Sequence, residues 1–341
     1  MSISSLINAN THRVKEGARV LEDIGRFVLR DETLFTKIRK LRHSLQTSPP
    51  IETTQSDLGG PSLKEDNLRR NLIHLVQANA SRIQEALRVL EELTQDDMTK
   101  QKIKSLRFTA YALQQEFYKK TMMFIKQDKL RGLYLIIDTD LINLPLKVIT
   151  NIINQSSVTL VQLRSKLSTK QSLLQKATRL KKWLNRDKLL IINDHIDVAL
   201  DIADGVHLGQ EDYPLERVRK LLPDHFLFGA TCHNIDEAKF AERSGASYIS
   251  VGCMFPTQSK QDAMKTSLTE LEKIQQNVHI PTCAIGGINL QNLKSVLSYK
   301  VNMIATISSI WQASDPALAI KSMQAQILSD SDFEPQSEPN T

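Results

Sequence analysis

Apolar residues recur every three or four positions in HRVKEGARVLEDIGRFVLR, where Val14, Ala18, Leu21 and Ile24 share one helical face. The first 125 residues read as helices. From residue 131 the pattern changes to short apolar runs: LYLIIDT at 133, TLVQLR at 159, LLIIND at 189, GVHLG at 205, LFGAT at 227, YISVG at 248, TCAIGG at 282 and MIATIS at 303. Helical stretches such as TKQSLLQKATRLKKWLNR and NIDEAKFAERSG lie between most of them. Eight strand–helix units predict an α/β fold, a (β/α)8 TIM barrel preceded by a small all-α domain. A doubly wound open sheet competes, but the first strand carries no Gly-rich dinucleotide turn.

The helical part is duplicated. NTHRVKEGARVLED at 10–23 returns as NASRIQEALRVLEE at 79–92, pairing Arg13 with Arg82, Glu16 with Glu85, Arg19 with Arg88 and Glu22 with Glu91. A second echo links KIRKLR at 37 to KIKSLR at 102. The repeats, 10–45 and 79–110, predict two helical hairpins packed as a pseudo-twofold unit. One reading of the repeated charges is salt bridges on solvated faces at three-residue spacing. The other is a shared polar site lined by Asn10, Arg13 and Glu16 with their copies Asn79, Arg82 and Glu85. Between the repeats, IETTQSDLGGPSLKEDN at 51–67 breaks regular structure at Gly-Gly-Pro, with Asp57 and Lys64 on either side. That loop suits either closure over a ligand or simple joining of the hairpins. The domains are therefore expected at 1–125 (helical) and 126–328 (barrel), with 329–341, acidic and rich in Ser and Pro, as a disordered tail.

Composition narrows the class. With 41% hydrophobic residues the 341-residue chain fills a real core. No apolar run of membrane-spanning length appears, which argues against a membrane partner. MSISSLINANTHR lacks the basic-then-apolar order of a secretory signal. Cys232, Cys253 and Cys283 are odd in number and too far apart for a paired metal motif, which fits a reducing cytoplasm. The net charge of +6 resides in residues 1–130, with 22 Lys plus Arg against 16 Asp plus Glu; the remainder carries 22 of each. A basic helical module raises the question of nucleic acid. Acidic residues interrupt the basic ones throughout, however, and no recognition-helix motif or aromatic platform is present.

In a parallel barrel the chemistry sits on the loops after the strand C-termini, and polar groups gather there. Strand two ends in Gln162, Arg164 and Lys166, strand three in Asn193 and Asp194, and strand four in Gln210, Glu211 and Asp212. Strand five ends in Thr231, Cys232 and His233; strand six runs into VGCMFPTQSKQ with Thr257, Ser259 and Lys260. Strand seven ends in Gly286 and Gly287, strand eight in Ser308 and Ser309. Three cations, Arg164, Lys166 and Lys260, with two hard oxygen ligands, Asp194 and Asp212, suit Mg2+ and a pyrophosphate group. Backbone N–H groups near Gly286–Gly287 and Ser308 suit a second phosphate.

VQLRSK, IIND, ADGVHLGQED, GATCH, VGCMFPTQSK, CAIGGI and TISSI together resemble the thiamine phosphate synthases, over roughly residues 131–325. The resemblance implies a (β/α)8 barrel that joins hydroxymethylpyrimidine diphosphate to thiazole phosphate, releasing pyrophosphate. It implies that Gln162, Arg164, Lys166 and Asn193 hold the pyrimidine diphosphate, and that Asp194 and Asp212 bind Mg2+. Thr231 stands where the family has serine. Thr257 and Ser259 would take the thiazole phosphate, Lys260 the diphosphate, and Gly287 and Ser308 would complete the cradle. Arg164, Lys166 and Lys260 would stabilise charge growing on the leaving group. Such a reaction needs no protein nucleophile, so Cys232, His233 and His207 are read as pocket-shaping or packing residues. The duplicated text resembles a helical domain fused to such synthases and proposed to be a hydroxymethylpyrimidine phosphate kinase. That role would need ATP and Mg2+, yet no Walker A loop or kinase catalytic motif is present. A dimerising or ligand-sensing module stays open, as does a homo-oligomer.

The chain departs from the synthase pattern at His195, where arginine is common, and at Met303 and Thr306, where glycine and an aliphatic residue are favoured. The segment from Asp194 to Asp212 is one residue short. Related thiazole tautomerases generally lack the full diphosphate set that Arg164, Lys166, Asp194, Asp212 and Lys260 supply here.

Overall fold

The apolar stripe of Val14, Ala18 and Leu21 is buried in α1 (Ile3–Asp23), as predicted, and Ile24 follows it into a π-helical turn, Ile24–Val28. The computed structural model describes residues 3–45, 72–256 and 266–329. It forms two compact units, residues 1–124 and 125–341. Asp57, Lys64 and the Gly-Gly-Pro stretch lie outside the described residues, as does the tail after Ser329.

In the first unit α1 packs on α2 (Glu32–Ser44) and most extensively on α3 (Leu72–Leu93). The helices pack tightly at Gly17, where a Cβ would lie 3.0 Å from both the Asn79 carbonyl and Ile83 Cγ1. The copied stripe of α3, Ile83, Leu87 and Leu90, is buried in the same core. A long helix, α4 (Asp97–Asp128), carries the second half of the duplication.

The duplication explains the two buried glutamates of this unit. Glu22 receives Arg42 at 2.7 Å, and its copy Glu91 receives Arg107 at 2.8 Å. Each arginine closes its own echo, KIRKLR or KIKSLR. The three-residue pairing read from the sequence forms between Arg88 and Glu91 at 3.5 Å. Glu22, by contrast, is served from α2, by Arg42 and by Arg39 at 4.0 Å. Glu22 sits on the buried side of α1, where a shielded partner from a neighbouring helix compensates desolvation better than an exposed one on its own helix.

In the second unit all eight predicted runs are strands: β1 (Gly132–Asp138), β2 (Leu160–Arg164), β3 (Leu189–Asn193), β4 (Gly205–Leu208), β5 (Leu227–Cys232), β6 (Tyr248–Val251), β7 (Thr282–Ile285) and β8 (Met303–Thr306). They pair in parallel in sequence order and close as β8 meets β1. Helices α5 (Leu146–Asn154) to α13 (Pro316–Leu328) connect and surround them. Side chains alternate along each strand. Leu133, Leu135 and Ile137 of β1 join the apolar layer under the helices. Tyr134, Ile136 and Asp138 have the opposite alternation and turn into the barrel. The barrel centre is filled mainly by Tyr134 and Tyr248, both fully buried. Gly229 makes that possible, because a Cβ there would overlap the Tyr248 ring and His207 Nδ1.

Candidate active site

A cavity of about 520 Å3 opens at the C-terminal ends of the strands, where a (β/α)8 barrel keeps its chemistry. Its wall includes Gln162, Arg164 and Lys166 from β2 and the loop after it, Asn193 from β3 and Asp194 just after it, and Asp212 from the turn after β4. Thr231, Gly287 and Ser308 complete the set contributed by β5, β7 and β8. Nine predicted residues from six strands thus face one space. Thr257, Ser259 and Lys260 lie outside the described residues. Pro256, just before them, packs on the site: a Cβ on Gly287 would lie 2.6 Å from its carbonyl oxygen.

The charges are held in pairs. Arg164 donates to Asp138, a wholly buried carboxylate on the neighbouring strand. Lys166 pairs with Asp194. Asp194 adopts a left-handed backbone (φ 63°), which short polar side chains tolerate, and its N–H donates to the His207 carbonyl at 2.8 Å. Asp212 accepts the Gly209 N–H at 2.6 Å, which closes the turn after β4. Burial and the Asp212 carboxylate raise the Asp194 carboxyl above its ordinary value. Asp212 lies below its own, because hydrogen bonds from Asp194 and Gly209 outweigh its burial. The two carboxyls are therefore electrostatically coupled, and a divalent cation held there would relieve the repulsion that raises Asp194. Among the described residues no group of three or more His, Cys, Asp or Glu gathers to hold a metal. Two carboxylates suffice for Mg2+ that keeps water and takes substrate phosphate as its other ligands. On that donor set the pair fits the ion.

The loop after β2 is fixed from β1. Asp140 accepts the backbone N–H of Lys166 at 2.5 Å and of Leu167 at 3.0 Å, and the Ser165 hydroxyl at 2.9 Å. Burial opposes its charge, but these bonds prevail and hold its pKa below the ordinary value. Lys176 reaches under the loop to Thr139 at 2.9 Å and Ser168 at 2.8 Å. Gly286 and Gly287, with φ of 102° and 64°, form a turn closed to other residues by space as well as by backbone; a Cβ on Gly286 would lie 2.7 Å from Cys253 Cα.

Beneath the cavity, His207 makes two polar contacts, Nδ1 to Tyr248 at 3.1 Å and Nε2 to Thr231 at 3.0 Å. Burial pushes its pKa down to about 4, so the ring is neutral at pH 7. Burial pushes the Cys232 thiol up to about 12, which removes it as a nucleophile. Asp138, Asp140, Tyr134 and Tyr248 are the supporting residues that sequence reasoning did not single out. Asp138 had one available signal, a carboxylate ending an apolar strand beside the arginine that ends the next.

In the helical unit the structure makes two equivalent pairs. Arg13 donates to Asn10 Oδ1 at 3.5 Å and Arg82 to Asn79 Oδ1 at 3.4 Å. Each buried asparagine donates to the carbonyl four residues earlier, Leu6 at 2.8 Å or Leu75 at 2.9 Å. Glu16 and Glu85 are exposed and form no ion pair among the described residues.

Residues 133–310 match the thiamine monophosphate synthase family, and residues 5–116 match the ThiD2 family. A thiamine-phosphate synthase of Prochlorococcus marinus is 31% identical over 342 residues, covering 95% of this chain and 96% of that protein. One from a Synechococcus species is 32% identical over 340 residues, covering 95% of this chain and 96% of that protein. Among solved structures, a thiamine phosphate pyrophosphorylase from Pyrococcus furiosus superposes with a TM-score of 0.55 at 32% identity, covering 60% of this chain and 98% of that one.

Proposed function

The chain belongs to the thiamine monophosphate synthase family and is a transferase of that type, and we propose that its barrel joins hydroxymethylpyrimidine diphosphate to thiazole phosphate. The observation that carries this reading is the convergence of Gln162, Arg164, Lys166, Asn193, Asp194, Asp212, Thr231, Gly287 and Ser308 on one cavity. Gln162 and Asn193 hold the pyrimidine end. Arg164 and Lys166 face the diphosphate, joined by Lys260. Thr257, Ser259, Gly287 and Ser308 take the thiazole phosphate.

The reaction breaks the bond between the pyrimidine methylene carbon and the diphosphate oxygen, and pyrophosphate leaves with the electron pair. The methylene cation is stabilised by the electron-rich aminopyrimidine. The thiazole nitrogen then donates its lone pair to that carbon, so no protein nucleophile or proton transfer is needed. Arg164 and Lys166 contribute where negative charge grows on the leaving group, which lowers the barrier rather than merely tightening binding. Asp194 and Asp212 would hold Mg2+, which when bound supplies positive charge to the leaving diphosphate. The remaining gain comes from holding two substrates in register.

For the helical unit we propose a hydroxymethylpyrimidine phosphate kinase activity that uses ATP and feeds the barrel its diphosphate. Its support is the ThiD2-family match together with the twin Arg13–Asn10 and Arg82–Asn79 pairs, which offer cations for phosphate. A phosphorus NMR time course tests both activities. Pyrimidine diphosphate, thiazole phosphate and Mg2+ should give thiamine phosphate and pyrophosphate without ATP. Pyrimidine monophosphate should react only when ATP is added, and Arg82→Ala should abolish that route alone. Failure with the diphosphate refutes the synthase reading. Success with it but indifference to ATP leaves the helical unit a structural module.

A further inference from the structure

The barrel interior contains one continuous hydrogen-bonded chain. Gln162 Nε2 donates to the Tyr134 hydroxyl at 2.7 Å, and the Tyr134 and Tyr248 hydroxyls meet at 2.9 Å from opposite walls. The Tyr248 hydroxyl lies 3.1 Å from His207 Nδ1, and His207 Nε2 lies 3.0 Å from the Thr231 hydroxyl. Gln162, Tyr134, Tyr248 and His207 are all buried, and both ends of the chain, Gln162 and Thr231, face the cavity.

With the Gln162 amide nitrogen as the donor to Tyr134, the protons run in one direction along the chain. Tyr134 already accepts from Gln162, so its single proton goes to the Tyr248 oxygen. If Tyr248 donated to Tyr134 instead, the Tyr134 proton would be stranded in the barrel interior, where an unmet donor is costly. Tyr248, accepting from Tyr134, sends its proton to His207 Nδ1. The imidazole then carries its own proton on Nε2 and gives it to Thr231. The Thr231 proton is left for the cavity, and at the other end Gln162 Oε1 is left as an acceptor.

We infer that the Tyr134–Tyr248 bridge is a positioning device that fixes the polarity of the pyrimidine subsite, setting Gln162 as acceptor and Thr231 as donor. This deepens the proposed synthase reading, on which its choice of ligand rests. An acceptor fixed at Gln162 matches an exocyclic amino group and rejects an oxo group at the same ring position. A free glutamine amide would rotate to serve either. Neither tyrosine touches the reacting atoms; both act through the side chains they orient.

Two measurements on the full chain test this. The first uses 15N-labelled histidine at pH 7 without substrate, with His207→Gln to assign the signal. His207 should be the Nε2–H tautomer, with Nδ1 unprotonated, and Tyr248→Phe should shift the Nδ1 resonance. An Nδ1–H tautomer in the unmodified protein overturns the proton order. The second compares kcat/KM for the 4-amino pyrimidine diphosphate with that for its 4-oxo analogue. Tyr134→Phe should lower the discrimination by at least about tenfold, with KM for thiazole phosphate unchanged. A variant that is slower overall yet equally selective shows a purely structural role and overturns the inference. If the unmodified protein turns over neither substrate, the synthase reading fails, and the tautomer alone decides whether the chain is ordered as described.

Discussion

Asp140, just beyond β1, accepts the backbone N–H of Lys166, just beyond β2, at 2.5 Å. The loop that carries Lys166 is thus set by a carboxylate on the adjacent strand end, which also holds Leu167 and Ser165. Asp140→Asn keeps the shape and weakens three charge-assisted hydrogen bonds, so kcat/KM for the diphosphate should fall by about tenfold. The folded pKa of Asp140 lies below its ordinary value. Its clamp is therefore fully present above the ordinary carboxylate range and is lost only as pH falls through the lower, folded pKa. Rates of the two proteins measured between about pH 6 and pH 8, well above that range, should keep a constant ratio. A ratio that varies with pH there would contradict this assignment.

The helical unit offers a symmetry test. Glu22 with Arg42 and Glu91 with Arg107 occupy equivalent places in the two repeats and are both largely shielded. Removing either glutamate leaves an arginine facing the core without its partner. Glu22→Ala and Glu91→Ala should therefore each lower the melting temperature, and by similar amounts, in a circular dichroism melt. Equal indifference to both substitutions would show that the braces are ornamental.

Those pairs also mark the limit of what the sequence makes legible. Val14, Ala18 and Leu21 announce their helix because burial imposes a period on one face, and the eight strands announce themselves by short runs between breaks. The cavity residues from Gln162 to Ser308 could be located because a parallel barrel delivers every strand end to one rim. What spacing cannot show is which side chains meet across the barrel. Tyr134 and Tyr248 are 114 residues apart and look, in sequence, like any two core aromatics. Asp138 reads as the end of a strand until β2 brings Arg164 beside it. Spacing assigns Glu22 a partner on its own helix because local spacing is visible in sequence, while the approach of α2 is not.

Thr306, where an aliphatic residue was expected, has a hydroxyl with no hydrogen-bond partner among the described residues. It pairs in register with Leu135 of the apolar layer and also lines the cavity wall. Thr306→Val replaces a buried, unmet hydroxyl by a methyl group of nearly the same volume. Stability should rise by about 1 kcal/mol, measured by urea unfolding. A loss of stability would mean that the hydroxyl is satisfied in solution.

Cys232 and Cys283 are fully buried, and burial pushes both thiols up to about 12. At about pH 8 neither has an appreciable thiolate fraction or a path to reagent. Native protein treated with iodoacetamide should therefore carry at most one label per chain, on Cys253 at the cavity wall, as peptide mass spectrometry would show. Denaturant should release all three. Labelling of Cys232 in the native state would mean that β5 opens far more readily than its burial implies.

The carboxyl pair at the rim makes the last prediction a competition between a proton and a metal. Burial and the Asp212 carboxylate raise the Asp194 carboxyl, so protonation of this pair competes with cation binding as pH falls. Mg2+ held by these carboxylates would need both ionised, so its apparent affinity should weaken as pH falls towards the raised Asp194 value. The Mg2+ concentration that gives half-maximal rate should be higher at about pH 5.5 than at about pH 8, the lower pH being nearer the carboxylate range. Asp212→Asn removes one charged ligand and relieves Asp194 of its carboxylate neighbour. The variant should need about tenfold more Mg2+ and show a flatter pH dependence of that requirement. If the requirement rises but its pH dependence is unchanged, the proton is not held by this pair. If Mg2+ has no effect on either protein, Asp194 serves as the partner of Lys166 alone.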